Sequence, residues 1–430
     1  MKYTQINSEL FIHNRKEYIG QMDKSALAVF NSNDIYPVSA DSTLPFQQHR
    51  DIFYLSGVDQ EESILVLSPF SKNKAHREVL FLKETNEHIA VWEGEKLTKK
   101  AAFETSGIKT VYWLDDFNKI FKQMMAEVDS IYLNTNEHLR ASTIVETRED
   151  RFIKEVKRDY PAHSLRKSAP ILHAIRSVKS KIEIDLMQTA CNITKAGIER
   201  ILKFIKPGIW EYEIEAEFMH EFLNRKSQGF AYTPIVASGA NACVLHYIQN
   251  NQQCKDGDII LLDVGAEYAN YASDLTRSLP VNGKFSARQK DVYNSVLHVK
   301  KEAEKLLIPG VLMDDYHKEV GKLMEAELLK LKLIDSTDIK NQDPNWPAYK
   351  KYFMHGTSHF IGLDTHDVGL YNEPIKAGMV FTCEPGIYIP EENLGIRLED
   401  DLIVQESGAP FNLMSDIPIE ADEIETLMNE

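Results

Sequence analysis

Five stretches in the second half of the chain carry residue types that could do chemistry together. In residues 258–274 a four-residue aliphatic run, 259–262, ends on Asp263, and Asp274 follows eleven positions later in another strand-like run. Taken alone, this is a buried strand, a turn and two solvated carboxylates. If the chain reverses near Ala269 and Asn270, however, the two aspartates can sit on adjacent strands. Period-2 alternation then puts Ala272, Asp274 and Thr276 on one face. A carboxylate placed directly after an aliphatic run needs a partner if it is buried, and a metal ion is one candidate.

The remaining stretches add ligands of the same kind. Three of the fourteen histidines, His355, His359 and His366, fall within twelve residues. His355 and His359 have the spacing of a zinc-protease helix. That reading fails, because the position of the general-base Glu holds Gly356, and Gly356, Thr357 and Ser358 favour a loop or strand. Alternation over residues 380–384 puts Val380, Thr382 and Glu384 on one face. Pro385 then places Glu384 at a strand end. Over 395–404 the same period sets Arg397 and Glu399 opposite Ile396, Leu398, Leu402 and Val404. That strand alone leaves open whether Arg397 and Glu399 form a structural ion pair or part of a site. His246, after an apolar pair, could equally be a satisfied core or surface histidine.

Together Asp263, Asp274, His359, Glu384 and Glu399 supply four carboxylates and one imidazole, and four negative charges match two divalent cations. Such a set favours Mn²⁺ and similar hard ions, with Zn²⁺ or Co²⁺ also compatible. Two ions about 3.5–4 Å apart need bridging ligands, and they can supply a nucleophilic water near neutral pH. His246 and His366 are then available to bind substrate or steady an oxyanion.

The elements that must position these groups follow from patterning. Strand-like runs at Ser25–Phe30, Ser63–Leu67, Glu78–Leu82, Thr110–Trp113 and Ile131–Leu133 alternate with helical stretches at 1–20 and 115–128. This indicates an α/β N-terminal domain with a mixed sheet. Residues 147–170 are dense in charge and read as a solvated helix or linker. Helical spacing returns at Ile182, Ile184, Met187, Ala190 and Ile193, and Pro207-Gly208 ends that helix. Residues 210–223 form another helix, Glu-rich on its outer face. The acidic C-terminus reads as an exposed tail.

Composition sets limits. The 430 residues suggest two or three domains. Lys plus Arg total 49 against 65 Asp plus Glu, a net charge of −16 that makes nucleic acid and anionic membranes poor partners. No apolar run is long enough to span a bilayer, and no basic then apolar leader opens the chain, so a cytoplasmic protein is expected. Cys191, Cys243, Cys254 and Cys383 lack CxxC spacing and read as reduced, mostly buried thiols.

In order and content the five stretches resemble the pita-bread metallopeptidases, and within them the aminopeptidase P (Xaa-Pro aminopeptidase) family. The matching pieces are Leu261-Leu-Asp263-Val-Gly-Ala-Glu-Tyr, Tyr271-Ala-Ser-Asp274-Leu-Thr-Arg277, His355-Gly-Thr-Ser-His359, Glu384-Pro-Gly and Ile396-Arg397-Leu-Glu399-Asp-Asp. Phe46-Gln-Gln-His-Arg-Asp-Ile-Phe-Tyr-Leu-Ser-Gly57 is similar to the family's creatinase-type N-domain signature. The resemblance implies that N-domain over residues 1–172. Over 173–430 it implies an α+β pita-bread catalytic domain, a curved, mainly antiparallel sheet covered by helices.

It also implies roles. Asp274 and Glu399 would bridge two divalent ions, most commonly Mn²⁺ in this family. Asp263 would hold one ion, and His359 with Glu384 the other. Glu384 would also shuttle a proton from the bridging water. His246 and His366 would contact substrate, His355 would line the pocket near proline, and Arg397 and Tyr388 would orient the ligands. The implied substrates are peptides with proline at position 2, and the implied assembly is a homodimer or homotetramer. An Xaa-Pro bond has no donor N–H, so a site that polarises the carbonyl suits it. Two other readings are a prolidase confined to Xaa-Pro dipeptides and a non-catalytic peptide-binding pita-bread module. The complete ligand set disfavours the second.

Overall fold

The computed structural model describes residues 3–430. Thr4–Arg176 forms one compact unit, and Ser177–Glu430, with Tyr3, forms another.

The first unit is built on a six-stranded sheet. Its order is Thr110–Trp113, Glu78–Leu82, Ser63–Leu67, Ala26–Asn31, Ser130–Leu133, Ser164–Lys167. The two pairings around Ser63–Leu67 are antiparallel and the other three are parallel, so the sheet is mixed as expected. The runs Ala26–Asn31 and Ser63–Leu67 are buried at every position, because helices cover both faces. On one face Phe117, Phe121 and Phe152 pack against Phe81 and Met124.

Two helices of this unit arise from charged stretches. Of the two readings of residues 147–170, solvated helix or linker, the helix is the one formed. Thr147 and Asp150 form a capping box that starts the helix Arg148–Asp159, whose Phe152 and Val156 enter the core. Ser164–Lys167 then adds the edge strand. The charges that suggested a linker occupy the outward face. In the helix Glu9–Gly20, Leu10, Phe11 and Tyr18 are buried but Ile12 is exposed. Arg15 is buried in its place, paired with Glu78 at 3.0 Å and donating to the Leu55 carbonyl at 2.8 Å.

In the second unit every strand pairing is antiparallel. Ile259–Val264 lies between Ile235–Ser238 and Leu275–Pro280, with Asp263 opposite Ile235 on one side and Thr276 on the other. The reversal between these strands uses Ala269 and Asn270, both at positive φ (54° and 69°). Val380–Cys383 pairs with Asp400–Ile403, and Gly386–Ile389 with Leu394–Arg397. An isolated bridge between Thr276 and Glu399 joins the two halves. The helices include Lys181–Phe204, Glu211–Asn224, Ala287–Glu304 and Met313–Lys330.

Three corrections follow. The stretch 395–404 is two strands, not one. Pairing stops at Arg397 and resumes at Asp400, because the Leu398 N–H donates to the Pro385 carbonyl and the Glu399 N–H to the Thr276 carbonyl. The acidic C-terminus is a helix, Ala421–Asn429, anchored by buried Ala421 and Ile424. The helix Glu211–Asn224 turns Glu211 and Glu221 inward, so its glutamates are not all on an outer face. No helix among the described residues is long and apolar enough to cross a membrane.

Candidate metal centre

Asp263 is the penultimate residue of the strand Ile259–Val264, and Asp274 immediately precedes the strand Leu275–Pro280. His359 lies in a loop, as Gly356 and its neighbours suggested, and its N–H donates to Thr382 Oγ1 at 3.2 Å. Glu384 follows the strand Val380–Cys383, and Glu399 occupies the break before Asp400–Ile403. Ligand atoms of Asp274, His359 and Glu399 all lie within 4.8 Å of one another, and the three residues are buried. His359 Nε2 is 3.5 Å from Asp274 and 3.7 Å from Glu384. Asp263 joins through Tyr232, whose hydroxyl is 2.6 Å from both Asp263 Oδ1 and Asp274 Oδ1.

The electrostatics of this cluster are those of a cation site. Only Arg397 among the described Lys and Arg side chains pairs with one of the carboxylates, at 2.5 Å from Asp263. Burial and the neighbouring carboxylates push Glu399 well above the usual carboxylate range. Burial also raises Glu384 to about 7, against the pull of His359 and Arg397. Asp263 is raised by burial and by Asp274, despite Arg397. Burial lowers the His359 imidazole, but Asp274 and Glu384 outweigh it and hold the group above its ordinary value. His359 Nδ1 is 2.9 Å from the Phe360 carbonyl, so this nitrogen carries a proton and Nε2 is turned to the carboxylates. Oxygen-rich donors with one imidazole nitrogen, short of positive charge, fit one divalent ion or more.

Around the cluster runs a chain of directed hydrogen bonds. Arg397 donates to Asp263, to Thr276 Oγ1 at 3.1 Å and to the Tyr388 hydroxyl at 2.8 Å. Tyr388 is 2.7 Å from His355 Nε2, and His355 Nδ1 is 2.7 Å from the Gly356 carbonyl. Arginine cannot accept, so the Tyr388 proton points to Nε2, and the His355 proton sits on Nδ1. His355 is thereby held neutral. Burial and the Arg397 charge push its imidazole down to about 3. Arg397 is thus an orienting group for Asp263 rather than an ion-pair partner of Glu399. Glu399 instead accepts from Thr276 Oγ1 at 2.6 Å.

His366 stacks edge-on against His359, ring centroids 4.5 Å apart. His355 Nδ1 lies 3.6 Å from Glu384. His246 is exposed and lies near enough to His355 to be among the groups that lower that imidazole. Two participants went unassigned in the sequence. Thr276 shares the Asp274 face by alternation, so a signal existed. Tyr232 stands in an irregular segment far from either aspartate in sequence, and nothing local marks it.

Residues 185–406 match the model of metallopeptidase family M24, and residues 11–132 match the aminopeptidase P N-terminal domain. The chain is 33% identical to an Xaa-Pro aminopeptidase of Escherichia coli over 99% of its own length and 98% of the relative's. It is 31% identical to Xaa-Pro aminopeptidase 3 of Homo sapiens, covering 97% and 83%. Among solved structures, a variant of Escherichia coli aminopeptidase P in complex with substrate superposes with a TM-score of 0.89. That match is at 32% identity and covers 99% of both chains. The second unit therefore has the pita-bread fold expected of it.

Proposed function

The chain belongs to metallopeptidase family M24 and carries the aminopeptidase P type of N-terminal domain, and on that footing we propose that it removes the first residue from peptides whose second residue is proline. The observation that carries this reading is the convergence of Asp274, His359 and Glu399, with the hydrogen-bonded His355–Tyr388 pair beside Glu384. We infer two divalent ions, Mn²⁺ in preference to Zn²⁺ or Co²⁺. Asp274 and Glu399 would be shared between them, Asp263 would hold one, and His359 with Glu384 the other. When bound, such ions acidify a water and polarise a carbonyl.

The protein's own groups supply the rest. Glu384, poised near 7, can take a proton and return it to the leaving proline nitrogen without leaving the physiological range. His246 and His366 hold the substrate and meet charge that develops on its carbonyl oxygen. Neutral His355, fixed in one tautomer by Tyr388, presents an uncharged wall to the proline ring. No group in this set has to grip the scissile N–H, which an Xaa-Pro bond lacks. A homodimer or homotetramer and a cytoplasmic location belong to the same proposal; light scattering and fractionation test them.

The direct test is the rate on Xaa-Pro-Yaa, Xaa-Pro and Xaa-Ala-Yaa peptides with Mn²⁺ supplied. Fast tripeptide cleavage confined to proline at position 2 supports the reading. Cleavage of the dipeptide alone would make the protein a prolidase. Glu384→Gln should lower kcat by roughly 10²–10⁴-fold with the fold intact, and near-normal turnover in that variant contradicts the assignment.

A further inference from the structure

Glu211 is fully buried, yet no Lys, Arg or His lies within ion-pair distance of it among the described residues. Burying a charge of this kind is costly unless donors satisfy it. Five neutral donors do so. Oε1 accepts from the Ser238 N–H at 2.8 Å, Ser238 Oγ at 2.7 Å and Asn241 Nδ2 at 3.4 Å. Oε2 accepts from the Tyr247 hydroxyl at 2.7 Å and the Gln252 N–H at 2.9 Å. Every donor belongs to one segment, residues 238–252, and they come from its start, its middle and its end.

That segment carries His246. The imidazole is exposed and makes no hydrogen bond among the described residues, so nothing but its backbone sets where it points. The next residue, Tyr247, is buried, and its hydroxyl is the tether to Glu211. A second anchor lies nearby. Asn250, at positive φ, accepts from the Val236 N–H at 3.0 Å and donates to the Pro234 carbonyl at 3.0 Å and Glu215 at 2.8 Å.

We propose that Glu211 is a positioning residue for the peptidase reaction: through Tyr247 it gathers the loop 238–252 onto the first turn of its helix and so fixes His246 over the metal centre. The proposal rests on the role given to His246 above. The geometry explains why a carboxylate is required. Glutamine at 211 would turn its NH₂ group on either the Ser238 or the Gln252 backbone N–H, whichever way it lay, and one end of the loop would lose its acceptor. Tyr247→Phe is the gentler probe, because it removes one hydroxyl and keeps the ring.

A double-mutant cycle on kcat/KM for an Xaa-Pro-Yaa peptide, at matched Mn²⁺ content, tests this. Tyr247→Phe and Glu211→Gln should each lower kcat/KM by roughly ten- to a hundredfold. In a His246→Ala background the same substitutions should cost less than about twofold, because the group they position is gone. Equal losses in both backgrounds, or no loss in the single variants, overturn the positioning role and leave the proposed function standing. If His246→Ala itself costs nothing, the reading of His246 fails and takes this inference with it. Glu211→Gln covers the case in which Tyr247→Phe misfolds, and the reverse.

Discussion

Glu399, Asp400 and Asp401 are consecutive and buried, yet their surroundings treat their charge in three ways. Asp400 is matched inside the protein. Arg277 meets it at 2.7 Å, Lys300 at 2.5 Å and Asn412 at 2.8 Å. Burial opposes its ionisation, but the two cations hold its carboxyl below the usual range. Glu399 pairs with no Lys or Arg among the described residues and is driven well above that range by burial and by Asp274 and Glu384. Asp401 is also driven up by burial and Asp274. Its Oδ2 accepts the Asp274 N–H at 3.0 Å, and its Oδ1 finds no partner. Three consecutive residues therefore join a finished ion cluster to an unfinished one. The finished cluster holds the sheet together: Arg277 also donates to the carbonyls of Glu399 and Pro418, at 2.8 and 2.9 Å. The unfinished one is the cluster whose donors could hold a metal ion.

The largest effect expected from this contrast is on Asp400. Asp400→Ala takes from buried Arg277 its carboxylate and leaves Lys300 with Glu304 alone, and breaking a buried pair in this way costs about 3–5 kcal/mol. Denaturant unfolding should show that loss with or without Mn²⁺. A variant as stable as the parent would mean that the cluster is not a structural unit.

The unfinished cluster should respond to metal instead. Adding Mn²⁺ to metal-stripped protein should raise its stability by about 2.7 kcal/mol once the free ion exceeds Kd a hundredfold. Glu399→Gln should abolish most of that gain. It should leave the metal-free protein at least as stable as the parent above pH 7, because it removes a carboxyl that burial already keeps from ionising. A metal-induced rise in Tm that survives Glu399→Gln would place the ion elsewhere.

The same contrast marks what could be read from the residues in order. Asp263 and Glu384 were legible because each lies at the end of an apolar run, where a carboxylate is conspicuous, and Asp274 because alternation sets it on one face with Ala272 and Thr276. His359 was legible because glycine and small residues excluded a helix around it. The pairing of Arg397 was not, because strand alternation sets Arg397 beside Glu399, whereas the break at Leu398 and Glu399 sends the guanidinium to Asp263. That break depends on carbonyls of Pro385 and Thr276, which are remote in sequence. Tyr232 and Glu211 were missed for the same reason. Their roles lie wholly in long-range hydrogen bonds, and a glutamate at the first position of a helix ordinarily reads as a solvated complement to the helix dipole. In the N-terminal unit, strands with uninterrupted aliphatic runs were plain. The helix Arg148–Asp159 was legible only as an alternative to a linker, because charge covers its outer face, although its capping box was present in the sequence.

The N-terminal unit offers the smallest and cleanest version of the comparison, a buried carboxylate that forms no ion pair among the described residues. Glu149 accepts from the Asn31 N–H and from Asn31 Nδ2, both at 2.8 Å, yet burial raises its pKa to about 8. A carboxyl raised in the folded state binds its proton more tightly there than in the unfolded chain. The resulting stability is complete below about 4.5, the unfolded value, and is lost as pH rises through about 8. Glu149→Gln cannot ionise, so it should flatten this part of the stability profile while leaving kcat/KM unchanged. Urea unfolding of both proteins at several pH values between these limits checks it. Parallel profiles would show that Asn31 and the surrounding interior already stabilise the charged form, and that a buried carboxylate here needs no cation at all.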